Sequence, residues 1–114
     1  MDERRAREIV ESHLTTRGVA FSPRTATEAG PDILIEGEAI EVKGSNFPER
    51  DAFDQISRYV TEYASLTFAF PLDSLTLSLL YSLLCIEHVV KFVRSEKNQI
   101  KLMLLLKQPE CPVL

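Results

Sequence analysis

The chain has little sulfur chemistry. Its two cysteines, Cys85 and Cys111, form no CxxC pair and no Cys/His cluster. Zinc-ribbon and disulfide-scaffold classes are therefore excluded, and free thiols in a reducing compartment are expected. No apolar run approaches the roughly 18 residues of a membrane span, so no membrane contact is expected. Met1 to Arg7 is densely charged and no apolar segment follows it, so a signal peptide is not expected either. The expected location is the cytoplasm. Repeats and low-complexity tracts are missing, and 114 residues suit a single domain, residues 1–114. A surplus of positive charge is missing too. The net charge of −4 argues against a generic polyanion binder. The charge is unevenly spread, with acids crowded into residues 26–63 and bases into 88–108.

What is present centres on residues 31–43. Ile33 and Ile35 take alternate positions, as do Ile40 and Val42, and Glu36-Gly37 lies between the two pairs. This pattern predicts a tight β-hairpin, with Gly37 supplying the positive φ of the loop. In that register Ile35 faces Glu38, Leu34 faces Ala39, Ile33 faces Ile40 and Asp32 faces Glu41. One face is then apolar. The other carries Asp32 opposite Glu41, with Lys43 two residues on. Like charges placed directly opposite destabilise a sheet. A divalent cation between the carboxylates is the natural compensation. Lys43 then stands beside a metal-bound water.

Elements flank this hairpin on both sides. Ala6, Ile9, Val10, His13 and Leu14 recur at helical spacing, which predicts a helix over 2–17 with His13 on or beside its buried face. Glu8 and Glu11 lie on that helix, and either reaches a hairpin metal site if the helix packs beside it. Val19-Ala20-Phe21 reads as a first strand. Ser22 to Gly30 reads as a loop whose Ser22, Arg24, Thr25 and Thr27 suit a phosphate backbone. A second helix is predicted from Pro48 or Glu49 to Ser65, with Phe53, Ile56, Val60 and Tyr63 as its core stripe. Gln55 and Tyr59 lie one turn apart at the margin of that stripe. Leu66 to Phe70 reads as a buried strand. A helix capped by Asp73 or Ser74 then runs to about Cys85. Its leucines between Leu72 and Leu84 suit either core or an interface. Residues 87–94 and 99–107 read as a terminal hairpin, and Pro109 to Pro112 as a tail. The layout is α/β, with a central mixed sheet flanked by helices.

These residues resemble the PD-(D/E)XK nuclease superfamily, with its RecB-like and archaeal Holliday-junction-resolvase-like members. Pro31-Asp32 matches the PD, Glu41-Val42-Lys43 the (D/E)XK, and Gln55 to Tyr59 the QxxxY of RecB-like members. The match covers roughly the first 70 residues. It implies a restriction-endonuclease-like αβββαβ core, extended here by a C-terminal helix and β-hairpin. It implies a Mg²⁺-dependent DNA endonuclease, with Mn²⁺ able to substitute. Asp32, Glu41 and the Val42 backbone carbonyl would hold the metal. Lys43 would orient the attacking water, and Gln55 and Tyr59 would hold Lys43 and the DNA strand. In archaeal resolvases of this kind a glutamate from the first helix joins the metal site, and Glu8 is its nearest counterpart. The short chain, without a long basic extension, implies a homodimer or a subunit of a larger complex. The competing reading is a non-cleaving nucleic-acid-binding or assembly module that keeps the same fold.

Overall fold

The computed structural model describes residues 1–24, 30–94 and 99–106. Helix α1 (Glu3–Thr16) is followed by a short strand β1 (Ser22–Pro23), then β2 (Ile33–Ile35) and β3 (Glu38–Val42). Helix α2 (Glu49–Tyr59) leads to β4 (Ser65–Pro71), and α3 (Leu77–Arg94) leads to β5 (Gln99–Leu105). The five strands form one mixed sheet in sequence order. β1, β2 and β3 pair antiparallel, and β3, β4 and β5 pair parallel.

The hairpin has the register its alternation predicts: Ile33 pairs with Ile40, Leu34 with Ala39 and Ile35 with Glu38. Gly37 takes the positive φ, at 73°. α1 starts at Asp2, whose carboxylate accepts from the Arg5 N–H at 2.7 Å. It ends before Gly18, whose φ is 71°.

Side-chain alternation divides the core between the two faces of the sheet. Ala6, Val10 and Leu14 of α1 cover Ile33, Ile40, Val42 and Ala69. Ala52, Ile56, Tyr59 and Val60, with Leu79, Leu83 and Ile86 of α3, cover Ala39, Leu66, Phe68 and Phe70 on the other face. β4 lies between two parallel neighbours, which accounts for its nearly continuous apolar sequence. Phe47, in the loop after β3, sets its ring edge-on to Phe68 and Phe70 at 5.5 and 5.7 Å.

Several expectations are corrected. The first strand is Ser22–Pro23, not 19–21; Val19 and Phe21 pack instead against the α1 core. Pro23 is tolerated because β1 is an edge strand. His13 is exposed. α2 ends at Tyr59, and its buried arc is Ala52, Ile56, Tyr59 and Val60, which turns Phe53 outward to 40 % exposure. The cap of α3 is Thr76, whose hydroxyl accepts from the Leu79 N–H at 3.0 Å. Asp73 and Ser74 belong to a 3-10 turn and bond to Ser45 and Asn46.

The largest correction is at 87–94, which is helix, so β5 is no hairpin partner. A parallel connection must run back along the whole preceding strand. The seven residues of β4 extend about 23 Å. The 18 residues of α3 extend about 27 Å, whereas a helix stopping at Cys85 would extend only about 14 Å. Of the Leu72–Leu84 stretch, Leu79 and Leu83 are core, while Leu77, Tyr81 and Leu84 are exposed. The tail lies outside the described residues. No helix among the described residues is long and apolar enough to cross a membrane.

Gly44 closes the site end of β3. A Cβ there would stand 2.6 Å from the Glu3 N and 2.7 Å from the Asp2 carbonyl carbon, both backbone atoms. Gly44→Ala is therefore expected to force α1 away from β3 and destabilise the fold by roughly 1–3 kcal/mol. Urea unfolding checks this; an unchanged midpoint would show that the helix start is not seated on Gly44.

Candidate active site

The β2–β3 pair brings two acids together inside the protein. Asp32 is 1 % exposed and Glu41 3 %. Asp32 precedes β2, and its Oδ2 accepts from the Val42 N–H at 2.8 Å. Its Oδ1 accepts from two guanidinium groups, Arg7 Nη2 at 2.7 Å and Arg24 Nη2 at 3.2 Å. Arg24 is held in place because its own N–H donates to the Asp32 carbonyl at 2.8 Å. The two carboxyls also touch each other. Burial pushes Asp32 up, but hydrogen bonds from Glu41 and the Val42 N–H, with the two arginines, outweigh it, and its pKa lies below the usual 3.8. Burial and the contact with Asp32 push Glu41 from 4.5 up to about 9, against the pull of Lys43 and Arg24. At neutral pH the pair therefore shares one proton, carried by Glu41 and donated to Asp32.

α2 supplies the wall on the Glu41 side. Tyr59 is buried, and that burial, with the Glu41 charge, raises its pKa above 10.0. Gln55 lies one turn earlier, half-buried. Lys43 follows Glu41 and Val42; its N–H donates to the Ala69 carbonyl at 2.9 Å, which fixes it at the end of the sheet. Asp32, Glu41, Lys43 and Tyr59 are thus gathered at one place.

Two expected contributors fall elsewhere. Glu8 is exposed and pairs with Arg5 at 3.4 Å on the surface of α1. Neither Glu8 nor Glu11 joins the acid pair: no group of three or more His, Cys, Asp or Glu residues suited to a metal ion occurs among the described residues. Thr25 and Thr27 lie outside the described residues. Arg7, one position before Glu8, reaches the site instead. It borders the buried Ala6–Val10–Leu14 stripe, and a buried like-charge pair requires nearby cations. Those two signals could have singled it out.

Glu41 Oε2 and Gln55 Oε1 are buried acceptors with no hydrogen-bond partner among the described residues. Such orphaned oxygens are costly. The touching Asp32 and Glu41 carboxylates offer oxygen donors only, the chemistry that suits Mg²⁺ or Mn²⁺. The residues therefore fit a hard divalent cation, with Asp32 and Glu41 as its carboxylates. No protein-family model, curated protein or solved structure matches this chain.

Proposed function

We propose that this chain is a metal-dependent nuclease that hydrolyses DNA phosphodiesters. The observation that carries the reading is the buried Asp32–Glu41 pair, with an orphaned Glu41 oxygen and Lys43 beside it. The element order supports a restriction-endonuclease-like core: a helix, an antiparallel meander, a crossover helix and a parallel fourth strand. Asp32 and Glu41 would hold Mg²⁺ or Mn²⁺, with the Val42 carbonyl as a further ligand. When bound, the cation polarises the phosphate and acidifies an attacking water. Glu41 gives up its proton when the cation loads, because a ligating carboxylate must be ionised. The Lys43 ammonium orients the water and stabilises charge developing on the phosphate oxygens. Tyr59 and Gln55 confine Lys43 and the strand from the α2 side.

One observation favours the other reading, a non-cleaving nucleic-acid-binding module. Arg7 and Arg24 already pair with Asp32, so its charge is compensated without a metal. A nuclease assay separates the two. Plasmid, linear, single-stranded and four-way-junction DNA are incubated with Mg²⁺, Mn²⁺ or EDTA. Cleavage with either metal and none in EDTA is expected. Lys43→Ala is expected to lower the rate by about 10²–10³ with an unchanged far-UV circular dichroism spectrum. A folded wild-type chain that binds DNA and cuts none of these substrates decides for the non-cleaving module.

A further inference from the structure

The two edges of the sheet are built differently. β1 is two residues long and contains Pro23, which has no N–H to offer a further strand. β5 is seven residues long, without proline or glycine. Among the described residues it pairs on one side only, with β4. Its one charged residue, Lys101, is paired with Glu38 at 3.5 Å. A long apolar edge of this kind invites a further strand. The Ile100 N–H turns away from β4 and donates to the Glu87 carboxylate of α3 at 3.0 Å. N–H directions alternate along a strand, so those of Leu102 and Leu104 also turn to the open edge.

α3 continues this edge above the sheet. Leu77, Leu80, Leu84 and Glu87 recur at three- and four-residue spacing along one flank of the helix. Glu87 fixes that flank over β5, while Ser78, on the other flank, bonds to Glu49 of α2. Ile100 packs into the core beneath α2 and α3, so Leu102 and Leu104 share its face of the sheet. They are 38 % and 39 % exposed, and Leu77, Leu84 and Leu106 are 86 %, 59 % and 63 % exposed. These five leucines present on the order of 500 Å² of apolar surface beside an open strand edge. A stable pair of proteins covers about 800 Å² on each partner, so the surface and its backbone rim match one interface.

We infer that this surface joins two copies of the chain, β5 pairing antiparallel with β5 of a second copy about a two-fold axis at Met103. The inference is independent of the nuclease reading. Leu102 then lies opposite Leu104 of the second copy, and each such pair exchanges two backbone hydrogen bonds. The helix has the same centre. Glu87 is level with Ile100, and Met103 lies about 10 Å further along β5. About 10 Å back along α3 from Glu87 are Leu80 and Tyr81. They are the midpoint between Leu77 and Leu84, so the same axis sets Leu77 of one helix against Leu84 of the other. An isologous contact must be self-complementary. Two elements symmetric about one common point therefore fit a second copy of this chain.

Mass in solution and strand register test this. Light scattering after gel filtration is expected to give twice the chain mass. Leu84→Lys and Leu104→Lys each place a charge on the interface, at a side chain already open to solvent. Each is expected to weaken dimerisation at least about thirtyfold, the scale of a central interface residue, with an unchanged far-UV circular dichroism spectrum. The register is read by disulfide trapping in a Cys85→Ser, Cys111→Ser background. Met103→Cys meets its own counterpart with Cα atoms about 4.5 Å apart, within disulfide reach, and is expected to cross-link on oxidation. Leu106 is more exposed than Met103. In this register it lies about 20 Å from its counterpart, so Leu106→Cys is expected not to cross-link. A wild-type chain that keeps the single-chain mass overturns the inference. So does a dimer that persists in both lysine variants, or one that cross-links through Leu106→Cys and not through Met103→Cys.

Discussion

Asp32→Ala is expected to cost about 3 kcal/mol of folding stability and to abolish cleavage. The carboxylate is buried and accepts four hydrogen bonds, from Arg7, Arg24, the Val42 N–H and the Glu41 carboxyl. Truncating it leaves a buried backbone donor without an acceptor and two cations facing each other. Breaking a buried ion pair from one side typically costs about 3–5 kcal/mol. The low end applies because both arginines keep about a third of their surface in solvent and can turn outward. Asp32→Asn retains an acceptor for Val42 and is expected to recover part of the stability but none of the activity. Adding Arg7→Met to Asp32→Ala removes one uncompensated charge, so the double variant is expected to be more stable than Asp32→Ala alone. Urea unfolding of the four proteins measures this. Equal midpoints for wild type and Asp32→Ala would mean that the arginine cluster does not form.

Glu41→Gln is expected to act in the opposite direction. The folded chain holds the Glu41 proton up to about pH 9, whereas the unfolded chain loses it near 4.5. Between these values the unfolded state binds fewer protons, so stability falls as pH rises. The slope is about 1.4 kcal/mol per pH unit, and by pH 7 the loss is on the order of 3 kcal/mol. Glutamine cannot ionise and can still donate to Asp32. The variant is therefore expected to match wild type below about pH 4.5, to exceed it increasingly toward pH 9, and to bind no divalent cation. Asp32 has the reverse sign: its lowered pKa contributes stability above 3.8 that is lost in acid. Thermal melting of both proteins from pH 4 to 9 is the check. A gap that does not change with pH would show that Glu41 is not the proton carrier. The same proton must leave when a metal binds wild type at pH 7. Calorimetry in buffers of different ionisation enthalpy is expected to detect its release.

The hairpin at the centre of the site was legible because every rule that forms it is local. Ile33, Ile40 and Val42 alternate, Gly37 permits the turn, and the two-residue loop then places Asp32 beside Glu41. α1 was legible for the same reason, since Ala6, Val10 and Leu14 repeat at the helical period. Helical spacing set Gln55 and Tyr59 one turn apart, but the buried arc of α2 was misjudged: Tyr59 belongs to it and Phe53 does not. Small Ala52 faces the sheet instead, and which neighbours a helix meets is a property of the packed sheet.

His88 to Arg94 was misread for a stronger reason. Its valines and Phe92 favour a strand locally. The helix continues because Leu79, Leu83 and Ile86 seat it on the sheet, and the chain must travel the length of β4 before β5 can pair parallel to it. That length requirement is not written in residues 88–94. The charge partners of Asp32 were equally out of reach: Arg7 lies 25 residues away in sequence and Arg24 eight. The sequence by itself determined the two carboxylates, their mutual approach and the lysine beside them, because turn geometry and strand period act over a few residues. Only the tertiary structure decided what compensates their charge. Packing α1 against the β2–β3 face carries Arg7, rather than Glu8, to Asp32.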